Sequence, residues 1–167
     1  MADALTLSLT FIGILSVFCW VLACIFRDAS IADLFWPLYH ALATTTHLYV
    51  ASAEEVFTLA IVFSLLICAW ASRLFLHLFF RRLGQEEDHR YAAIRERNRE
   101  HFWWQSFFTI FLVQSCLAWL ICAPFSHVIL SAQSFSALHG LGLFIMVCGL
   151  IYEWVADEQL KNYLRRA

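Results

Sequence analysis

Residues 81–100, RRLGQEEDHRYAAIRERNRE, hold six of the chain's 11 Lys and Arg residues together with Glu86, Glu87, Asp88, Glu96 and Glu100. Guanidinium groups at this density can grip an anion, such as a nucleotide phosphate or a lipid head group, through paired N–H···O contacts. The interleaved carboxylates offer a second use, which is to neutralise the arginines along a short interfacial helix. On such a helix Glu87 meets Arg90 and Asp88 lies one turn from Tyr91, while Tyr91, Ile94, Asn98 and Phe102 share a face. Pairs at this spacing each contribute about 0.2–0.5 kcal/mol. Both uses stand at this point, and Asp88, Arg90, Tyr91 and Arg95 are the possible loop contacts of either.

Other polar residues are isolated in apolar surroundings. Asp33, beside Trp36 and Pro37, suits the first turn of a helix, where the dipole favours a carboxylate; a catalytic or cofactor role is the alternative. Gln114 stands alone in an apolar run. It fits an interhelical hydrogen bond of about 0.6 kcal/mol, or a substrate contact. His40, His47, His77 and His139 do not repeat as HExxH, so satisfied or interfacial histidines are expected and no metal site. The six cysteines, Cys19, Cys24, Cys68, Cys116, Cys122 and Cys148, form no CxxC pair and read as small apolar residues. The five glycines never form GxGxxG.

The elements that carry these residues follow from composition. The chain is 62% hydrophobic, 17% aromatic and only 14% charged, with a mean hydropathy of +0.70, against about 25% charged in soluble domains. Its apolar residues come in long runs, and a hydrocarbon core of about 30 Å takes about 20 helical residues. The expected fold is therefore an all-α, polytopic membrane bundle in one domain over residues 1–167. It has about five spans, at 4–26, 34–52, 56–80, 102–125 and 128–152, plus a short amphipathic helix in the charged loop 81–101. Span 34–52 carries His40, Thr44, Thr45, Thr46 and His47, so its polar side should face other helices. Pro124 and the segment PFSH mark a turn between the last two spans. Ser131, Gln133, Ser134, Ser136, His139 and Gly140 make the start of the fifth polar and small, which suits close packing or a wet cavity. A cleaved signal peptide is not expected, since no Lys or Arg precedes residue 4 and the apolar run exceeds a signal core.

If five spans cross alternately, every Lys and Arg falls on one side and Asp3, Glu54 and Glu55 on the other. The positive-inside rule then gives an outside N-terminus and a cytoplasmic C-terminus, with the charged block a cytoplasmic loop. The bilayer is the expected partner, and nucleic acid is not.

Several segments together suggest a family. RDASIADLFWPL at 27–38, WASRLFLHLFFRRLGQEEDHRYAAIRER at 70–97, FWWQSFFTIFLVQ at 102–114 and ADEQLKNYLRR at 156–166 resemble the bacterial, initially uncharacterised branch of the steroid 5-alpha-reductase family. The resemblance implies a helical enzyme of the bacterial inner membrane. It would use NADPH from the cytoplasmic side to reduce a C=C bond conjugated to a carbonyl in a lipophilic, steroid- or isoprenoid-like substrate. By position it makes Arg73, Arg81 and Arg82 the cofactor contacts. Where eukaryotic relatives carry a Tyr that polarises the substrate carbonyl, this chain has Trp70; with Asp33 it is the catalytic candidate, although indole is a poor proton source. Family members continue beyond the Gln-Leu segment with an Arg- and His-containing cofactor motif. The resemblance therefore implies an N-terminal part, inactive alone, with a C-terminal half or a second copy as possible partner.

Three classes remain open: such a reductase, a non-catalytic membrane remnant or packing partner, and a lipid-binding or transport module whose arginines meet anionic head groups at about 1 kcal/mol each. The loop's acidic residues weigh against the third. An isoprenylcysteine methyltransferase-like enzyme, with a methyl donor in place of NADPH, is the alternative chemistry.

Overall fold

The computed structural model describes residues 1–51, 58–131, 135–164 and 166. The order is α1 (Ala2–Phe26), α2 (Ile31–Ala51), α3 (Thr58–Arg82), α4 (His89–Asn98), a 3-10 turn (Arg99–His101), α5 (Phe102–Ser106), a π-helical turn (Phe107–Leu112), α6 (Val113–Leu130) and α7 (Ala137–Leu164). No strand occurs among the described residues. The chain divides into two compact units, Met1–Ala132 and Gln133–Ala167, where the sequence reads as one domain. The second unit is built on α7.

Four helical runs are long and apolar enough to cross a membrane: α1, α3, the continuous run His89–Leu130, and α7. The protein is an all-helical membrane bundle. α2 falls outside that set because of its polar residues, and the first unit shows where they go. α2 packs against α1, α3 and α6, and it buries Tyr39, His40, Thr44, Thr46 and His47 along with Ala32, Pro37, Ala43 and Ala51. The polar side of the expected second span does face other helices. The lipid-compatible residues lie outside: Ile14, Phe18 and Ile25 of α1, Leu65 and Phe80 of α3, and Leu120 of α6 are exposed.

Small residues let the helices approach closely. α1 buries Ala4, Ser8, Ile12, Ser16, Cys19 and Ala23, nearly one residue per turn on one face. Two indoles then bind α1 to the later helices, since no water is present in hydrocarbon to satisfy a stray N–H. Trp20 Nε1 donates to the Trp103 carbonyl at 2.8 Å. Trp119 Nε1 donates to the Leu5 carbonyl at 3.1 Å.

Three sequence expectations are corrected. The helix runs through Pro124 to Leu130 instead of turning at PFSH, because membrane helices tolerate the one N–H that proline removes. The next helix starts at Ala137, so Ser136 caps it: the Ser136 hydroxyl lies 2.9 Å from His139 Nδ1 and accepts from the His139 N–H at 3.4 Å. Ser131 donates to the His127 carbonyl at the end of α6, while Gln133, Ser134, Glu54 and Glu55 lie outside the described residues. The 81–101 loop is shorter than expected, because α3 continues through Arg82 and turns at Gly84, whose φ of +76° favours glycine. Finally, the amphipathic helix α4 buries Tyr91 but leaves Ile94 exposed, while Arg95 in its second turn still reaches the α1–α2 connection.

Candidate functional site

The site lies at the basic end of the first unit, where the α1–α2 connection meets the segment after α3. α1 ends with Arg27 in the left-handed region at φ 54°, a conformation that costs a non-glycine residue about 1–2 kcal/mol. The neighbouring loop holds that turn: Arg95 Nη1 donates to the Arg27 carbonyl at 3.2 Å. Asp28 forms a tight turn by accepting from the Ser30 N–H at 2.9 Å, and its other oxygen takes Arg82 Nη2 at 2.7 Å.

The following residues splice the two loops by backbone contacts. The Ala29 N–H donates to Glu87 Oε1 at 2.9 Å, and the Asp88 N–H donates to the Ser30 hydroxyl at 2.8 Å. Glu87, only 8% exposed, also forms an ion pair with Arg95 at 2.9 Å. The expected Glu87–Arg90 pair is thus replaced by Glu87–Arg95, because Glu87 precedes the helix and turns towards the α1–α2 loop.

Asp88 is the N-cap of α4, accepting from the Arg90 N–H at 2.9 Å. Arg90 folds back on it, with Nε 3.0 Å from Oδ1 and Nη2 3.0 Å from Oδ2. The Arg90 hydrogen bonds hold the Asp88 carboxyl well below the usual carboxylate range, at about 2.

Asp33 sits in the first turn of α2, as expected, but its carboxylate does more than complement a dipole. Oδ1 accepts from the Tyr91 hydroxyl at 2.6 Å and from Gln114 Nε2 at 3.3 Å, and Oδ2 accepts from Arg90 Nη2 at 3.0 Å. Gln114 Nε2 is also 3.4 Å from the Tyr91 oxygen. The amide nitrogen must face Asp33, since a carbonyl there would oppose a carboxylate; Gln114 Oε1 is therefore turned away, buried and without a hydrogen-bond partner. The π-helical turn just before α6 sets this geometry. It buries both Ile110 and Phe111, an extra residue in the helical phase, and so rotates Gln114 relative to the buried face of α5.

Of the residues singled out in the sequence, Asp33, Asp88, Arg90 and Tyr91 come together, joined by Gln114, and Arg95 and Arg82 tie the same two loops nearby. Arg81 is exposed in the last turn of α3, with no ion pair among the described residues. Arg73 and Trp70 are half-buried farther up that helix, Arg73 about 12 Å along it from Arg81. Trp70 meets His40 edge-on, ring centroids 5.4 Å apart, and His40 Nδ1 lies 3.0 Å from the Trp36 carbonyl. Sequence reading missed Asp28 and Ser30. Their signal was the Asp-x-Ser spacing of a side-chain turn just ahead of a helix.

Chemically the cluster can hold a phenolic proton in a defined place. Tyr91 Oη donates to a carboxylate whose second oxygen is balanced by a guanidinium, and Gln114 fixes the same oxygens from the opposite side. Among known proteins, residues 19–167 match the model of a protein family of unknown function, DUF1295. No curated protein and no solved structure matches the chain.

Proposed function

The chain belongs to the DUF1295 family, and from that premise we propose that it supplies the substrate-side helices of a membrane reductase acting on C=C bonds conjugated to a carbonyl in lipophilic molecules. One observation carries the reading. Three of the segments in which the steroid 5-alpha-reductase resemblance resides, SIADLFW, EEDHRY and the Phe-rich run ending in Gln, each send at least one side chain into the same cluster, meeting through Asp33, Tyr91 and Gln114. Segments so far apart in sequence have no local reason to share a hydrogen-bond network.

In this reading NADPH, when bound, supplies the hydride. The chain's own residues orient and balance charge. Arg81 is the exposed guanidinium open to a phosphate, and Arg73 lies on the same helix. Arg82 fits less directly, since its guanidinium holds Asp28 at 2.7 Å and would have to exchange that partner. Asp33 accepts the hydrogen bond of the Tyr91 hydroxyl, and Arg90 pairs with its second oxygen. Trp70 is not an acid in this scheme, so Tyr91 is the proton-bearing side chain of the cluster. The site faces the cytoplasm of a bacterial inner membrane.

A non-catalytic packing module is the second reading. It is favoured by the pairing of Arg82, Arg90 and Arg95 with Asp28, Asp33, Asp88 and Glu87, which leaves those guanidinium groups already balanced. NADPH fluorescence with the purified chain, alone and with a family member's C-terminal half, separates the two. Binding that appears on adding that half, and weakens about tenfold or more in Arg81→Ala, supports the reductase. Absence of binding in both, while a full-length family member binds, supports the module.

A further inference from the structure

The bundle interior carries a second polar group, remote from the charged cluster and independent of the reductase reading. His47 of α2 is fully buried. Its Nε2 is 3.1 Å from the Ser8 hydroxyl of α1, and that hydroxyl also lies 3.0 Å from the Leu5 carbonyl. A carbonyl can only accept, so the single Ser8 proton goes to Leu5 and Ser8 must accept from His47. That assigns the ring's proton to Nε2. His47 Nδ1 is then a bare lone pair, buried, with no hydrogen-bond partner among the described residues.

Two further buried hydroxyls without a partner belong to the same level of the α2–α3 pair. Thr44, one turn earlier on α2 and fully buried, has no hydrogen-bond partner for Oγ1. Its neighbours Thr45 and Thr46 both donate to carbonyls four residues back, at 2.8 and 2.7 Å, so Thr44 is the exception in its run. Ser64 of α3, 2% exposed, is likewise unpartnered. The antiparallel register places it at this level: Ala51 and Ala60 share one cluster, and His40 meets Trp70, so His47 falls opposite the turn that carries Ser64. Roughly nine in ten buried polar groups have a hydrogen-bond partner. A lone-pair nitrogen and two hydroxyls at one level that do not bond to one another are satisfied together by one partner that both donates and accepts.

We infer that His47 Nδ1, Thr44 and Ser64 form an internal binding site between α2 and α3 for a hydroxyl oxygen, which donates its proton to Nδ1 and accepts from the two side-chain hydroxyls. The oxygen comes either from a trapped water or from the alcohol group of a lipophilic molecule. The site does not suit a metal ion, which would need several ligating groups of this kind, nor an ether or ketone, which brings no proton.

The test is histidine ring 15N NMR on the intact chain in lipid nanodiscs, with the His47→Asn variant used to assign the signal. The expected result is an Nε2–H tautomer whose Nδ1 has the shift of a hydrogen-bond acceptor. A proton contact to water, unchanged by added 1-dodecanol, identifies water as the occupant. A contact that transfers to 1-dodecanol, but not to its methyl ether, identifies an alcohol. An Nδ1 signal of a bare nitrogen in every sample, a proton on Nδ1, or a ring cation overturns the site.

Discussion

Asp33 is the residue on which the charged cluster turns, because among the described residues it alone hydrogen-bonds three other members, Tyr91, Arg90 and Gln114. Tyr91→Phe removes one charge-assisted hydrogen bond while keeping the ring, and should lower stability by about 1–2 kcal/mol. Asp33→Asn should cost more, since the amide loses the charge and, whichever way it turns, points a donor either at Arg90 or at Tyr91 and Gln114, which already donate. Thermal unfolding in detergent, followed by circular dichroism, checks the order; equal or reversed losses would remove Asp33 from the centre. Asp88 gives a pH test. Its carboxyl is held at about 2 by Arg90, against an ordinary value of 3.8. A depressed carboxylate stabilises the fold fully above its unfolded value and loses that contribution as pH falls through the folded one. The start of α4 should therefore be protected above pH 3.8 and open as pH approaches about 2, seen as faster amide exchange over residues 89–92 after correction for intrinsic rates. Asp88→Asn should remove this pH step.

At the scale of elements, the segment after α3 acts as a clasp on the α1–α2 turn. Its centre is Glu87, which receives the Ala29 N–H and pairs with Arg95. Glu87→Ala leaves that N–H and one guanidinium without their partner, at a cost of about 1–3 kcal/mol. The expected readout is faster tryptic cleavage after Arg90 and Arg95 with the spans intact. Arg90 is 62% exposed, so its own pairs should contribute little and weaken with salt. An equal effect of Arg90→Ala and Glu87→Ala on cleavage at Arg95 would contradict this ranking. α2 shows why a polar helix can sit inside a membrane bundle. His40, Thr44, Thr46 and His47 are buried against other helices while Thr45 is exposed, and the apolar load is carried by α1, α3 and α6.

For the whole molecule, the positive-inside rule proposes that the clasp faces the cytoplasm and the start of α1 the outside. In a variant whose six native cysteines are replaced, a cysteine at position 92 should react with a membrane-impermeant maleimide only from the cytoplasmic side. One at position 3 should react only from outside. The reverse pattern would invert the topology, and with it the side from which a cofactor could reach Arg81.

The sequence by itself determined the class of the protein and the whereabouts of its first three helices. Uncharged runs of this length have no other use than to face lipid or one another, and the charged block could not lie within them. It also supplied Asp33, Arg90 and Tyr91 as candidates, since ionisable groups beside hydrocarbon are rarely idle. Partners were not legible. Asp88 could be placed near Tyr91 by helical spacing, but nothing local says that Glu87 turns to Ala29, that Arg82 takes Asp28, or that Gln114 reaches Asp33 across 81 residues. Those pairings depend on which helices adjoin and in what register, and on a π-helical turn that shifts Gln114 in phase. The same holds for His47: the sequence shows a histidine among threonines, and only its bond to Ser8 on another helix decides which ring nitrogen is left bare.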